Sequence, residues 1–556
     1  MNKTAFASLI VVCAAMQAQD SQTIDRFFDE YYAFKPSEAT AQGFHQFDDR
    51  IEDESASGRA RRLRFLHEAE KTFAALPSSP DRDLILNRVR ADLLELEQIR
   101  MWEKNPDLYS GSAANAVFVI MSRRFAPPAE RLRSVIEREK QMPAAFGYAR
   151  ENLKNPPRVY TEVALEQLPG ITGFFEHDVP LAFHDVTDQK LLAEFRQANE
   201  AVIAALAAYE KWLRDDLLPR SNGDFRIGAG NYRKKLAYEE MVDVPLDELL
   251  KVGYEDLRRN QEAFRATAAK LDRHKTPMQV LSELAHDHPR PDHLLQSFRD
   301  VLGGLRQYIE AHRIITIPSD VPPIVEETPP FLRALTAASM DTPGPFERVA
   351  KEAYFNVTLP DPKWTPKQVE DLMEGFNRGT VVSTAVHEVY PGHYTQFLWV
   401  QQAPSKTRKL LGAGSNAEGW AHYCEQMMLD EGYGNGDLTL RLGQLQDALL
   451  RNARYIVGIR MHTGTMSFDE GVQFFEKEGY QSHGNALRET KRGTSDPTYL
   501  MYTLGKLEIL KLRADYQRKM GARYRLGEFH DEFMRQGWPP IAIVREAMLG
   551  QKGSLL

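Results

Sequence analysis

The stretch VVSTAVHEVYPGHYTQFLWV, residues Val381–Val400, contains the strongest structural constraint in this 556-residue chain. It is close to the metal-binding motif HExxH, in which two histidines four residues apart share one helical face and reach one ion. Here His387 and His393 are six residues apart, and six steps of about 100° would turn them about 120° away from each other on a regular helix. The two extra residues are Pro391 and Gly392, the types that most readily interrupt a helix. We therefore predict a local break that brings both imidazoles to one metal ion.

A second motif, SNAEGWAHYCEQMMLD at residues Ser415–Asp430, offers a third ligand on the next predicted helix. Glu418 follows His393 by 25 residues, so an antiparallel helix joined by a short loop could return it to the metal. His422 and Glu425 come at helical spacing on the same face, where they can orient the ligands. Ser415-x-x-Glu418 also fits a capping box, in which the glutamate only closes a helix N-terminus. The pairing with the first motif favours the ligand interpretation.

These residues match a catalytic zinc site, which has three protein ligands and one open position for water. We predict one Zn²⁺ per chain on His387, His393 and Glu418, with Glu388 as the general base. Cobalt or manganese could occupy the same nitrogens and oxygen in vitro. The other histidine cluster, HDHPRPDH at residues 286–293, is rich in proline and is typical of a surface turn rather than a metal site.

Other polar side chains are candidates for contacts with a substrate. Tyr502 and His462 could donate to a developing oxyanion, with a core aromatic and a structural histidine as the alternatives. Gly505, in the same YTLG stretch as Tyr502, could allow close approach of another helix. Three arginines could hold a substrate carboxylate, and an ordinary surface or paired role is the alternative for each: Arg454, Arg460 and Arg513.

Away from these motifs, apolar residues recur mostly at helical spacing from Gln22 to about Arg313, for example over residues 84–96 and 191–218. Prolines are dense over residues 314–356, which excludes a continuous helix and predicts short extended pieces at RIITIP and PPIVEETPPF. A small sheet or a covering loop fits this stretch, and a plain linker is the alternative. Helices resume after Thr365 and Pro366, which are typical N-cap and first-turn residues. We predict a mainly α-helical protein with an N-terminal helical lobe over residues 19–313 and a catalytic lobe over residues 314–556.

The N-terminus, MNKTAFASLIVVCAAMQAQD, has the layout of a secretory signal peptide over residues 1–18. Its apolar run is too short to span a membrane, so we expect an exported protein, periplasmic or secreted, without stable membrane insertion. One alternative is lipidation of Cys13, which the bulky Val12 before it disfavours. A second alternative is that these residues form a buried first helix. Cleavage would leave Cys424 as the one cysteine, so we expect no internal disulfide.

The overall composition, with 42% hydrophobic and 27% charged residues, is that of an ordinary globular protein. It argues against a wholly disordered chain and against a multi-span membrane protein. The formal net charge is −8, so the chain has no excess of cations with which to neutralise phosphates. We therefore expect no general binding to nucleic acid.

HEVYPGH followed by EGWAHYCEQ resembles the paired motifs of a large, mainly bacterial family called domain of unknown function 885. PSEATAQGFHQFDDR at Pro36–Arg50 and PTYLMYTLGKLEILKLR at Pro497–Arg513 are similar to its outer signatures, so the resemblance covers nearly the whole mature chain. It implies a gluzincin-like zinc metallopeptidase with a largely helical fold, a small β-sheet beside the active-site cleft, and the ligands and base identified above. The stretch VGIRMH departs from the family pattern at Gly458 and Arg460 but retains His462.

The leading hypothesis from the sequence is an exported zinc metallopeptidase that acts on peptides, with the arginines favouring a carboxypeptidase if it is exo-acting. A zinc hydrolase of non-peptide amides is the alternative within enzymes. The alternative outside enzymes is a helical protein that binds peptides without catalysis. Intact Glu388 argues against it, because a protein that has lost its enzymatic activity could lose the general base and keep its fold.

Overall fold

The computed structural model describes residues 21–329, 333 and 336–556 as a mainly α-helical protein with a small β-sheet, which confirms the predicted fold class. The predicted signal peptide over residues 1–18 and Cys13 lie outside the described residues. Among the described helices, none combines the length with the apolar composition that a membrane crossing requires.

The helices before the proline-rich stretch are α1 (21–33), α2 (Pro36–Gln42), α3 (Ala56–Ala75), α4 (Pro80–Leu94), α5 (Met101–Lys104), α6 (Asp107–Met121), α7 (Pro128–Asn152), α8 (Arg158–Gly173), α9 (Val179–Ala182), α10 (Gln189–Trp212), α11 (Leu218–Arg220), α12 (Gly228–Lys235), α13 (Leu246–Leu271), α14 (Pro277–Ala285) and α15 (Leu294–His312). Several of them continue into π-helical turns, at Glu95–Ile99, Phe174–Asp178, Leu213–Leu217 and Leu236–Glu240. Short 3₁₀ turns lie at His45–Phe47 and Pro291–His293.

The helices after the proline-rich stretch are α16 (Pro366–Gly375), α17 (Arg378–Glu388), α18 (His393–Val400), α19 (Lys406–Leu410), α20 (Gly414–Asp430), α21 (Leu438–His462), α22 (Phe468–Lys477), α23 (His483–Ser495), α24 (Met501–Met520), α25 (Leu526–Met534) and α26 (Ile541–Leu549). Short 3₁₀ turns lie at Tyr433–Gly436 and Gly521–Arg523.

These helices form where the sequence predicts them. The predicted helical stretch over residues 84–96 is α4 with its π turn, and the stretch over residues 191–218 is α10 with the turn that follows it. Thr365 is the N-cap of α16: its hydroxyl accepts from the backbone N–H of Gln368, and the Gln368 side chain accepts from the N–H of Thr365. Residue types at helix starts therefore predicted this boundary correctly.

The proline-rich stretch contributes strands rather than a plain linker. The strands are β1 (Ile324–Glu327), β2 (Ala338–Asp341) and β3 (Tyr354–Val357), with β3 in the centre, parallel to β1 and antiparallel to β2. The predicted extended piece PPIVEETPPF contains β1, with its last two residues outside the described part, whereas RIITIP forms no strand. Phe355 of β3 is buried against Phe298 of α15, and β2 packs against α17. The sheet therefore lies beside the helix that ends at Glu388.

The apolar core is divided into clusters that connect distant parts of the chain. One cluster combines helices α6–α10, and another combines the sheet with α15, α17, α20 and α24. A third joins the two predicted lobes, because Tyr232 and Leu249 pack in it with Leu445, Tyr455 and Leu504. The division of the chain at residue 313 stays a prediction.

Helices α20 and α24 cross at a distance that only glycine permits. A Cβ atom added to Gly505 would lie 1.8 Å from the carbonyl oxygen of Ser415, and one added to Gly419 would lie 2.4 Å from the Cα of Gly505. The expectation that Gly505 allows close helix approach is confirmed. This crossing holds the helix that carries Glu418 in place.

Gly505→Ala is expected to lower the free energy of unfolding by about 1–3 kcal/mol or more, because the new methyl group meets a backbone carbonyl that cannot move aside. The matched control is Gly147→Ala in α7, where an added Cβ meets nothing within 4 Å. That control should be neutral or stabilising, since alanine favours a helix over glycine. Urea unfolding curves measure both, and equal stability of the two variants would contradict the proposed steric constraint.

Candidate metal centre

The chain leaves the helix between the two histidines, as predicted. Helix α17 ends at Glu388 and α18 begins at His393, with Val389 at φ −120° and ψ −74° and a cis peptide bond before Pro391. The N–H of Gly392 donates to the carbonyl oxygen of Val386 at 3.0 Å. A Cβ atom at Gly392 would lie 1.8 Å from the carbonyl oxygen of His387. Only glycine allows the chain to turn back this closely on the end of α17.

This break brings the three predicted ligands together. Nε2 of His387 lies 3.3 Å from Oε2 of Glu418, and Nε2 of His393 lies 3.4 Å from the same oxygen. The two imidazole rings are nearly perpendicular, with centroids 4.8 Å apart. Ligands at about 2.1 Å from a tetrahedral zinc ion are spaced by about 3.4 Å. The observed spacing of the carboxylate oxygen from each imidazole nitrogen therefore fits a zinc ion between them.

The hydrogen bonding of Glu418 supports the same assignment. Oε2 of Glu418 is buried and makes no hydrogen bond with the described residues, although it faces both imidazoles. Side chains arranged around a common centre, rather than bonded to each other, have this geometry. Burial alone would raise the pKa of Glu418, but the adjacent imidazoles hold it well below its usual range. The residues present fit a metal ion.

The capping-box alternative for Glu418 is wrong. The N-cap of α20 is Ala413, and no side-chain cap hydrogen bond is formed there. The carboxylate of Glu240 instead accepts from the backbone N–H groups of Gly414 and Ser415, at 3.1 and 2.9 Å. An acid from a distant part of the chain thus satisfies the helix N-terminus, and Glu418 is free to face the imidazoles.

Glu425 orients the first ligand. Nδ1 of His387 donates to Oε1 of Glu425 at 2.7 Å, which leaves Nε2 directed at the candidate metal position. Nδ1 of His422 donates to the other carboxylate oxygen at 3.0 Å. Burial, and next the charge of Lys506, lower the pKa of His422 to about 3. Both predicted supporting residues lie beside the centre, with His422 acting through Glu425.

Sequence reasoning missed Arg451, which completes this support. Its guanidinium lies 2.9 Å from Oε1 of Glu425, and both side chains are nearly inaccessible to solvent. The pairing joins α21 to α20, and α21 also lies close to α17, where Gly379 and Gly443 face each other. The only sequence signal was the four-residue spacing of Asp447 and Arg451, which is typical of an ion pair along one helix. Nothing in the local sequence pointed to Glu425 as the partner.

Glu388 and Tyr502 also lie at the centre. Glu388 is the last residue of α17, and burial raises its pKa while the neighbouring imidazoles oppose part of the shift. The Tyr502 ring stacks on His387 with 6.4 Å between centroids. Arg492, a second residue that sequence reasoning missed, donates to the Tyr502 hydroxyl oxygen at 3.3 Å.

The remaining predicted residues have partners within the protein. His462 is fully buried, with its Nε2 at 2.7 Å from the carbonyl oxygen of Gly493, and burial lowers its pKa to about 4. Its described contacts therefore fit the structural alternative. The contacts of the three arginines are Arg454 with both carboxylate oxygens of Glu489, Arg460 with Tyr254 and Thr465, and Arg513 with Tyr423, Tyr524 and Glu431. Of these three, Arg454 also lies over the Tyr502 ring, at 5.0 Å from its centroid.

The histidine cluster over residues 286–293 lies on the surface. His286 pairs with Glu374 at 3.2 Å, and His288 lies 3.2 Å from Glu370. His286, Glu370 and Glu374 come close enough to hold an ion, but His286 and Glu370 are exposed. Exposed pairs of this kind are common on protein surfaces, so the prediction of a surface turn stands.

Gly392→Ala is expected to weaken zinc binding by on the order of tenfold or more, because the displaced chain separates the two imidazoles. Zinc titration calorimetry on the purified protein measures the effect. Gly484→Ala in α23 is the matched control, since an added Cβ there meets nothing within 4 Å. Equal zinc affinity in both variants would show that the glycine turn does not set the ligand geometry.

Comparison with known proteins agrees with the sequence resemblance. A search of curated proteins finds no match. A solved structure described as a "putative lipoprotein of unknown function from Shewanella oneidensis" is 26% identical, with a TM-score of 0.79 over 95% of this chain and 99% of that one. A "putative lipoprotein from Colwellia psychrerythraea", 17% identical, shares the fold with a TM-score of 0.76 over 96% of this chain and 99% of that one. A model of the family described as bacterial protein of unknown function (DUF885) matches residues 36–548, and the chain therefore belongs to that family.

Proposed function

We propose that this protein is a zinc-dependent metallopeptidase of the gluzincin-like class. The observation that carries the proposal is the convergence of His387 and His393 on one oxygen of Glu418, at 3.3 and 3.4 Å. Two imidazoles and one carboxylate form a common ligand set of catalytic zinc, which keeps a further position open for water. Glu388 directly follows the ligand His387, as the general base does in HExxH peptidases.

The protein's own residues have separate roles in this proposal. His387, His393 and Glu418 would hold the zinc ion, which would lower the pKa of a bound water and polarise the scissile carbonyl. Glu388 accepts the proton from the attacking water and passes it to the leaving amine. Glu425 holds the His387 imidazole through Nδ1. The Tyr502 oxygen accepts from Arg492, so its own O–H is available to donate to the oxyanion.

Carboxypeptidase action is the second candidate, and the position of Arg492 favours it. The arginines first assigned to a substrate carboxylate are bonded within the protein and away from the Tyr502 hydroxyl. Arg492 also has a partner, Asp496 at 3.1 Å, but its side chain is 38% exposed and donates to that hydroxyl. A guanidinium beside the oxyanion donor suits the terminal carboxylate of a peptide. The alternatives are hydrolysis of non-peptide amides and peptide binding without catalysis. A digest of a peptide library separates them from peptidase activity, because only a peptidase cleaves the library.

We also infer that the chain is exported. The predicted signal peptide supports this, as do the two similar structures described as putative lipoproteins. The lipoprotein form would require acylation of Cys13, and the secreted or periplasmic form would require cleavage within the first twenty residues. Mass spectrometry of the mature N-terminus distinguishes the two forms.

Glu388→Gln is expected to keep about one zinc per chain and to lose on the order of 10²–10⁴-fold in turnover of a peptide library, because the amide cannot take up the proton of water. The matched control is Glu68→Gln, which alters the chain's other His-Glu pair on the exposed face of α3. The control should cleave like the wild type, and chelation should abolish its activity. Equal cleavage by Glu388→Gln and the control would remove Glu388 from the role of base.

His393→Ala is expected to release zinc, since the remaining imidazole and carboxylate leave the ion with two protein ligands. Metal analysis of the purified variant tests this. His67→Ala is the control and should keep its zinc, because His67 lies on the surface and pairs with Glu97. Unchanged zinc content in His393→Ala would show that the metal is held elsewhere.

A further inference from the structure

A second cavity, of about 430 Å³, lies between α13, α20, α21 and α24. It is separate from the candidate metal centre, because none of the three ligands lines it. The two sites are near each other along α20, where Gln426 lines the cavity and its neighbour Glu425 supports His387. The proposed function makes no use of this cavity.

Among the charged side chains that line the cavity, cations outnumber anions. Its charged side chains are one carboxylate, Asp256, and four cations: Arg259, Lys270, Arg441 and Lys506. Arg259 lies 3.2 Å from the Asp256 carboxylate, and Arg441 donates to Asp430 at 2.6 Å. Neither of the two lysines is in direct contact with a carboxylate of the described residues, although the charge of Lys506 acts on Asp256. A lining of this kind repels metal cations and attracts anions.

Lys506 is the unusual residue of the set. The residue is only 1% exposed, yet its ammonium group makes no hydrogen bond or ion pair with the described residues. The nearby Asp256 carboxylate accepts from Asn260 and Asn452, at 3.1 and 2.8 Å, and Lys506 acts on it only through its charge, which helps to lower the pKa of Asp256. An ammonium group without a partner in the interior is costly, and buried charges are normally paired. The cavity beside Lys506 is the place where a partner can bind.

We propose that this cavity binds an oxyanion, a phosphate group that is free or part of a small phosphate ester, with Lys506 as its innermost contact. An ammonium group offers three donors to such an anion, and the guanidinium groups at the rim offer paired donors that match two oxygens at once. Chloride cannot use this paired geometry. The volume exceeds that of a phosphate ion and leaves room for a small ester.

The test is isothermal titration of inorganic phosphate into the purified wild-type protein at constant ionic strength and pH 7.5, with glycerol 3-phosphate and chloride as parallel ligands. Lys506→Met removes the charge and keeps the length of the side chain. Lys511→Met is the matched control, because Lys511 lies on the same helix, is outside the cavity and pairs with Asp515 at 2.6 Å. Both variants retain the three candidate zinc ligands, and the zinc content of each is measured beside the titration so that a change at that centre is recognised.

The wild type and Lys511→Met are expected to bind phosphate equally, and Lys506→Met on the order of tenfold or more weakly. Tighter binding of the ester than of free phosphate would identify a phosphorylated metabolite as the ligand class, and the reverse would identify the free ion. Absence of phosphate binding to the wild type at millimolar concentration, or equal binding by Lys506→Met, would overturn the proposal. If Lys506→Met does not fold, Arg259→Gln replaces it, since the Arg259 side chain is 68% exposed, and undiminished binding by that variant would also overturn the proposal.

Discussion

The contact of Gly392 with the carbonyl oxygen of His387 is the constraint on which the candidate metal centre depends. A side chain at residue 392 would occupy the space of that carbonyl, so the chain can fold back on the end of α17 only with glycine there. The fold-back rotates His393 towards His387 and leaves both Nε2 atoms facing Glu418. Support for His387 then comes from Glu425, whose negative charge is balanced by Arg451. The turn at Gly392 thus determines whether the two imidazoles and the Glu418 carboxylate face one metal position.

Local residue types predicted much of this arrangement. A histidine spacing that fails on a regular helix, with Pro391 and Gly392 between the histidines, required a break, and the break is present. The approach of Glu418 was predicted for a next helix joined by a short loop. The connection instead includes the additional helix α19, and α20 nevertheless packs against α17 and α18. The capping alternative for Glu418 could not be settled from the sequence, since the group that caps α20 is Glu240, more than 170 residues earlier in the chain.

The features that the sequence did not predict share one physical cause. Helical periodicity indicates which face of a helix is buried, but it does not indicate which face of another helix packs on it. The partners of these side chains lie on other helices: Arg451 pairs with Glu425, Arg454 pairs with Glu489, and His462 contacts the backbone carbonyl of Gly493. These contacts exist only in the packed structure. The same limit applies to β2 and β3, which lie in a stretch where proline density predicted extended chain but no pairing partner. Residue types therefore identified the candidate site residues, whereas the packing of the helices determined which of them lie at the candidate metal centre.

A single helix crossing positions both the candidate metal centre and the second cavity. Gly419 and Gly505 form the close contact of α20 with α24, and each is adjacent to a functional candidate: Glu418 precedes the first and Lys506 follows the second. On a helix, adjacent residues point about 100° apart, so the residue next to a buried glycine lies at the margin of the helix–helix contact rather than inside it. The crossing therefore directs a carboxylate to one margin, where two imidazoles meet it, and an ammonium group to another, where it meets cations and open volume. Because these glycines are neighbours of Glu418 and Lys506 in the sequence, one close helix crossing fixes the backbone positions of both residues.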